Sequence, residues 1–433
     1  MISNTTPVLA VDEKNLIPVS NHLRQLVDIP PSRMFLINKS LRVYQERNPG
    51  AQIFDASQGD GGASLSGVPR VILERAAQLQ IEHGTAYDMP FGTDAYRKSV
   101  VDQYWKLDSS SGWGPANVLG TAGGRDALVK AYQAMLALGH GRHGDLIIVS
   151  RVPWISYNWG PYGVGANVLW APGDPAQGWA YSEDAIRESV PFAASKGRKI
   201  AGLIITNPDN PTGLTISVEK QVSLAKCALE AGVAFVLFDW MYHYVTDESP
   251  MDLNAFLKYF TPEERRRLIF LDGITKSLGG SNIRNCHLIA DEAVIKFMMA
   301  RASHGVIPPF YSLAVAMAAY EMGYAEATKS IVEPTNASRN LLKDLLLRHE
   351  FQHIIGKGYY AFIHVGEFLK ARDWKDTEPL GQYLAENHGV AVVPGAFFSP
   401  FGGEWIRFSY ATPVERTEGA FKRWVDGLEA MKR

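Results

Sequence analysis

Residues 203–239 read LIITNPDNPTGLTISVEKQVSLAKCALEAGVAFVLFD. Two short apolar runs, Leu203–Ile205 and Phe235–Phe238, flank a segment in which Val218, Val222, Ala225 and Leu229 recur at intervals of four, three and four. Runs of that length without polar alternation suit strands buried on both faces. The spaced quartet makes one apolar face of a helix over 217–232, and Gly232 sits where such a helix would stop. Strand, helix, strand at this spacing is a βαβ crossover, so the chain is α/β with a parallel sheet covered by helices.

Leu146–Val149 and Leu268–Leu271 are two further runs of the same kind. Upstream, the pattern predicts a helix around Ser32–Asn48 and more helix over 66–106, broken at Met89-Pro90-Phe91-Gly92. Past about residue 330 the texture changes to a long helix (Asn336–Arg348), an alternating segment (Ala361–Val365) and an apolar run (Val390–Val393). A last helix carries Phe421, Trp424, Val425 and Leu428 on one stripe. The expected organisation is a large, mainly parallel-sheet domain over 66–330 and a small α+β domain over 331–433. Residues 1–65 supply an arm and part of the small domain.

The chain has 433 residues, long enough for two or three domains and for a core that needs neither disulfides nor a structural metal. Lys and Arg number 43 against 45 Asp and Glu, a net charge of −2 that leaves no electrostatic footprint for nucleic acid or a membrane surface. Cys227 and Cys286 are the only cysteines, too few for a disulfide framework or a Cys-based zinc site. The pair His140 and His143 supplies too few ligands for a metal. Met1-Ile2-Ser3-Asn4 opens without a basic region and apolar core, and no run of about 18 apolar residues occurs, so a reducing cytoplasm is the expected home.

In open parallel sheets, ligands sit beyond the carboxyl ends of the strands. The residues there are unusual. Leu203–Ile205 runs into Thr206-Asn207-Pro208-Asp209-Asn210-Pro211-Thr212-Gly213, Phe235–Phe238 into Asp239-Trp240-Met241-Tyr242, and Leu268–Leu271 into Asp272-Gly273-Ile274-Thr275-Lys276-Ser277. Each has a plainer reading: a good turn, a helix cap, a solvated lysine. Together they bring an amide-rich turn, a carboxylate with a phenol, and a lysine to one edge of the sheet.

The run Asn207–Gly213, then Asp239-x-x-Tyr242, Thr275-Lys276 and Arg284, resembles the class I/II aminotransferases, fold-type I enzymes dependent on pyridoxal 5'-phosphate. The resemblance extends from about residue 50 to the C-terminus, with Asn210, Asp239, Lys276 and Arg284 as its specific core. It implies that Lys276 holds the cofactor aldehyde and later moves a proton. Asp239 would pair with the pyridine nitrogen, and Asn210 and Tyr242 with the ring's phenolic oxygen. The Asn210-Pro211 bond is expected to be cis. Arg284, eight residues after the lysine, matches the phosphate-binding arginine. Thr121–Leu128 resembles the phosphate cup, with Gly124 and Arg125 presenting amides at a helix start. Trp154, in Trp154-Ile-Ser-Tyr157, would stack on the ring. Tyr87 resembles the tyrosine that reaches the partner subunit's phosphate, which implies a homodimer with shared active sites. Arg407, in Trp405-Ile-Arg407-Phe-Ser-Tyr410, would pair with the substrate α-carboxylate, and Gly59 would line the substrate side with Asn210.

Three departures mark a divergent branch: Gly273 where the family often has a phosphate-bonding serine, Asn282 where glycine is usual, and Asn285-Cys286 where a small apolar pair follows the arginine. Thr275 also stands where serine is commoner. The implied reaction is transfer of an α-amino group from an L-amino acid to a 2-oxo acid by a ping-pong mechanism. β-Elimination, decarboxylation or oxidation would use the same lysine, aspartate and arginine. Two readings from other classes fall away. Gly356-Lys-Gly358-Tyr-Tyr-Ala361 matches a dinucleotide pattern, but β-rich sequence follows it where a helix should. A transcription regulator would need a DNA-binding module, and the roughly 50 residues before the resemblance are not basic.

Overall fold

A computed structural model describes residues 11–16 and 29–432. The opening Met1–Asn4 and most of the expected arm lie outside the described residues. After a short strand β1 (Phe54–Asp55), seven strands form the central sheet: β2 (Val118–Thr121), β3 (Leu146–Val149), β4 (Asn167–Trp170), β5 (Ile200–Thr206), β6 (Phe235–Asp239), β7 (Leu268–Asp272) and β8 (Cys286–Ala290). Their order is β2-β8-β7-β6-β5-β3-β4. All neighbours run parallel except at β8, which is antiparallel to both β2 and β7. The four apolar runs in the sequence are thus β3, β5, β6 and β7.

The sheet is covered on both faces, which is why its strands lack polar alternation. Along β5 and β6, Leu203, Ile205, Val236 and Phe238 enter one core cluster, while Ile204, Phe235 and Leu237 enter the other. The crossover helix Val218–Ala231 starts where the Ser217 hydroxyl accepts from the Lys220 N–H and ends at Gly232, whose φ of 96° needs a residue without Cβ. Strands β2 and β8 escape the periodicity reading because Gly120 and His287 interrupt their apolar runs, whereas β4 carries an uninterrupted Val168–Trp170 after Asn167.

The C-terminal elements form a four-stranded sheet from β9 (His353–Ile355), β10 (Tyr360–His364), β12 (Val393–Pro394) and β13 (Trp405–Ser409). The run at 390–393 is split: β11 (Val390–Ala391) pairs with β1, and β12 pairs with β13. The segment at 54–56 and the helix Met34–Arg47 therefore pack on C-terminal elements, the helix against Glu378–His388. The long helix starts earlier than its apolar pattern suggests, spanning Tyr324–Arg348 with Pro334 inside. Proline has no N–H for the carbonyl four residues back. That carbonyl, of Ser330, instead accepts from the Ser66 hydroxyl. Gly356–Tyr359 is the turn between β9 and β10, Ala361 already lies in β10, and the stretch opens no helix.

Candidate active site

Parallel register brings the three polar turns to one edge: Thr206 lies beside Asp239, and Asp239 beside Leu271. Beyond this edge opens a cleft of about 650 Å³. Every site residue singled out from the sequence lines it except Tyr87, which is 98 % exposed in the loop after the helix Arg70–His83 and outside this chain's cleft.

Asp239, at the end of β6, is buried, and its carboxylate accepts from the Tyr157 hydroxyl at 2.5 Å and the Met241 N–H at 3.1 Å. Thr206 in turn donates to the Tyr157 oxygen at 3.1 Å. Burial pushes the Asp239 carboxyl up to about 6, against the pull of the Tyr157 hydrogen bond. An ionised carboxylate held there is short of a cation. Tyr157, read from sequence only as part of the Trp154 segment, is therefore Asp239's direct partner.

At the next turn both Asn207-Pro208 and Asn210-Pro211 are cis. The Asn210 side-chain oxygen Oδ1 accepts from Arg407 Nη1 at 2.8 Å, and Arg407 Nη2 donates to the Ser57 backbone carbonyl at 2.7 Å. The Arg407 guanidinium lies 4.2 Å from the Tyr360 ring centroid, a cation–π arrangement that steadies it. Tyr360 also shares a hydrogen bond of 3.1 Å with the Tyr242 hydroxyl. The Lys276 ammonium donates to the Gly59 carbonyl. Gly59 has to be glycine, because a Cβ there would overlap the Tyr360 hydroxyl.

Across the cleft, the helix Gly124–Gly139 presents its first N–H groups after Gly123, whose φ is 88°. The Arg284 guanidinium lies so close to Gly123 that a side chain there would displace it, and Arg284 Nη1 donates to the Ser281 carbonyl at 2.9 Å. Thr275 Oγ1 is buried with no partner. A cationic guanidinium, free amides at a helix start and an unpartnered buried hydroxyl make the set that a phosphate group satisfies. With Asp239 available to a protonated pyridine nitrogen, the donor set fits pyridoxal 5'-phosphate. Gly273 cannot be the phosphate-bonding serine, since a Cβ there would lie 2.7 Å from both the Asn285 carbonyl oxygen and Cys286 Cα. The departure at 273 thus goes with the departure at 285–286, and Ser281 brings a hydroxyl to the cleft instead.

The sequence reading missed Tyr360, Ser281, Ser57 and the wall formed by Met34, Ile37 and Asn38. The adjacent tyrosines 359 and 360 were visible, but only their tertiary placement gives them meaning.

Fold and site together define a fold-type I pyridoxal-phosphate enzyme. The family model for aminotransferase class I and II matches residues 56–423. The chain belongs to that family and is a pyridoxal-phosphate-dependent aminotransferase. It is 23 % identical to an aspartate aminotransferase of Geobacillus stearothermophilus, over 84 % of this chain and 88 % of that protein. It is 24 % identical to the aspartate/prephenate aminotransferase of Thermus thermophilus, over 93 % of this chain and 97 % of that one. Among solved structures, an aminotransferase from Mycobacterium tuberculosis superposes with a TM-score of 0.80 at 20 % identity, covering 95 % of this chain and all of that one. An aspartate aminotransferase from Thermus thermophilus with maleate gives a TM-score of 0.77 at 22 % identity, covering 92 % of this chain and 97 % of that one. These structural likenesses concern the fold.

Gly273→Ser should not improve the site. Overpacking against Asn285 and Cys286 should cost about 1–3 kcal/mol, read as a lower denaturant midpoint; an unchanged midpoint would show that the 285–286 backbone yields easily. A carboxyl whose folded value lies above its unfolded one binds more protons in the native state between the two values, so its contribution falls as pH rises from about 4 to 6. Cofactor-free Asp239→Asn should therefore be more stable than the parent by about 3 kcal/mol near pH 8, the difference vanishing near pH 4. Urea unfolding at several pH values checks this, and a pH-independent difference would contradict the burial argument.

Proposed function

We propose that this aminotransferase moves an α-amino group from an L-amino acid to a 2-oxo acid with Lys276 as the proton carrier. The observation that carries this is the convergence of Lys276, Asp239, Arg284 and Arg407 on one cleft. Pyridoxal 5'-phosphate, when bound, supplies an electron sink for the charge that develops at the substrate α-carbon. Arg284, Thr275 and the amides of Gly124 and Arg125 hold its phosphate. Asp239 holds a proton at the pyridine nitrogen, Trp154 covers the ring, and Asn210 and Tyr242 face its phenolic oxygen. Arg407, oriented by Asn210 and Ser57, binds the α-carboxylate, and Gly59 closes the substrate side. With the cofactor bound, Lys276 Nζ would remove the substrate α-proton as general base and later return it as general acid. The enzyme works as a cytoplasmic homodimer in which Tyr87 of the partner subunit completes the phosphate site; the near-total exposure of Tyr87 supports that reading. Among the described residues no helix is long and apolar enough to cross a membrane.

Arg125 refines the substrate class. Its amide belongs to the phosphate cup, while its guanidinium lines the cleft 5.8 Å from the Trp154 ring centroid. A cation there favours a second carboxylate on the substrate, in keeping with the aspartate named for the relatives.

Adding single amino acids to the loaded protein without any 2-oxo acid should bleach the absorption band of the lysine-bound cofactor, and a 2-oxo acid should restore it. Lys276→Ala should keep the fold but lose at least about 100-fold in turnover. A band that persists while ammonia, carbon dioxide or oxygen consumption appears would contradict aminotransfer. Arg125→Gln should lower kcat/KM for dicarboxylic amino acids about tenfold or more and leave neutral ones within about twofold; equal losses for both would contradict the substrate assignment.

A further inference from the structure

Behind the cleft lies a buried polar cluster that the roles above do not use. Asp272 ends β7, four residues before Lys276, and is 2 % exposed. Its Oδ1 accepts from the Gly273 N–H at 2.6 Å, and its Oδ2 accepts from both the Tyr104 hydroxyl and His243 Nε2, the latter at 2.7 Å. His243 Nδ1 accepts from the Met251 N–H at 3.0 Å. That bond fixes the tautomer: the ring proton is on Nε2, aimed at Asp272. Trp105 stacks on the His243 ring at 5.2 Å between centroids, with 13° between planes. Tyr104 closes a π-helical stretch, Val100–Tyr104, a backbone irregularity that is frequent at functional sites. Burial and the nearby Asp272 carboxylate both push the Tyr104 phenol upward, so it stays a donor.

The cluster joins the two loops that the chemistry needs in register. His243 directly follows Tyr242 on the turn from β6, and Asp272, the last residue of β7, leads into the loop that carries Thr275 and Lys276. Strands β6 and β7 are neighbours, but ladder pairing ends at Asp239 and Leu271. Beyond that point the Asp272–His243 bond spans the two loops. A satisfied buried network of this kind specifies one arrangement, because each donor and acceptor loses its partner if either loop shifts. Lys276 and Tyr242 stand four residues and one residue from its anchors.

We propose that Asp272, His243 and Tyr104 are positioning residues that lock the Lys276 loop to the Asp239–Tyr242 turn and so set the approach of Lys276 to cofactor and substrate. The proposal rests on Lys276 being the cofactor lysine. It assigns to these residues the geometry of proton transfer and leaves amino-acid binding to Arg407.

The test uses holoenzyme loaded with pyridoxal 5'-phosphate. Three quantities are read: kcat per occupied site, KM, and visible circular dichroism per bound cofactor, which reports how tightly the ring is held in one asymmetric orientation. Asp272→Asn is expected to lower kcat about tenfold or more with KM within about twofold, and to lose about half or more of the ellipticity per bound cofactor. Tyr104→Phe, which deletes one oxygen only and serves if Asp272→Asn fails to fold, should lower kcat about threefold with a smaller loss of ellipticity. His243→Gln, keeping an N–H donor, should retain more activity than His243→Leu. Variants that merely melt earlier or bind less cofactor, with kcat and ellipticity per occupied site unchanged, would overturn the proposal. A wild-type protein with no visible band would overturn both this inference and the assignment of Lys276; a normal wild-type band with unaffected variants would overturn this inference alone.

Discussion

Asp239 puts a carboxylate at the end of an interior strand, under cover from water, and the site is organised around satisfying it. Raising its carboxyl from 3.8 to about 6 corresponds to about 3 kcal/mol against the charged form. That figure is what remains after Tyr157 and the Met241 amide have offset part of the burial cost, and Thr206 orders Tyr157. What they leave is a demand for a positive group on the open side, which a protonated pyridine nitrogen meets. Asp239 thus costs the empty protein stability and leaves the cleft with an anion that a cationic group would satisfy.

Close approach is the second constraint. Gly59 lets the Tyr360 hydroxyl sit against the backbone whose carbonyl receives Lys276, Gly123 lets Arg284 lie against the helix start, and Gly273 lets the Lys276 loop pass Asn285 and Cys286. At Gly59 and Gly123 a neighbour's functional group takes the place of a side chain, and at Gly273 the neighbour is backbone. On the proposed reading the phosphate side is Arg284, Thr275 and helix amides with no serine at 273, where a Cβ would meet the backbone of Asn285 and Cys286.

The sequence made much of this legible because parallel strands buried on both faces leave uninterrupted apolar runs, and β3, β5, β6 and β7 have them. The residues just past those runs have to lie at one edge, which brings Asn210, Asp239 and Lys276 together. Strands β2 and β8 are hidden by Gly120 and His287, whose tolerance depends on tertiary partners. Tyr360 and Ser281 enter the cleft through chain packing that no local spacing encodes. Tyr157 is visible as a member of a motif but not as the partner of Asp239, since their hydrogen bond crosses from the short helix Ile155–Trp159 after β3 to the end of β6.

The central claim is that the lysine following β7 carries the cofactor. Reducing the pyridoxal-phosphate-loaded protein with borohydride and mapping the modified peptide by mass spectrometry tests it most directly. The account predicts a single stable adduct on Lys276. An adduct on another lysine, or none, would contradict it.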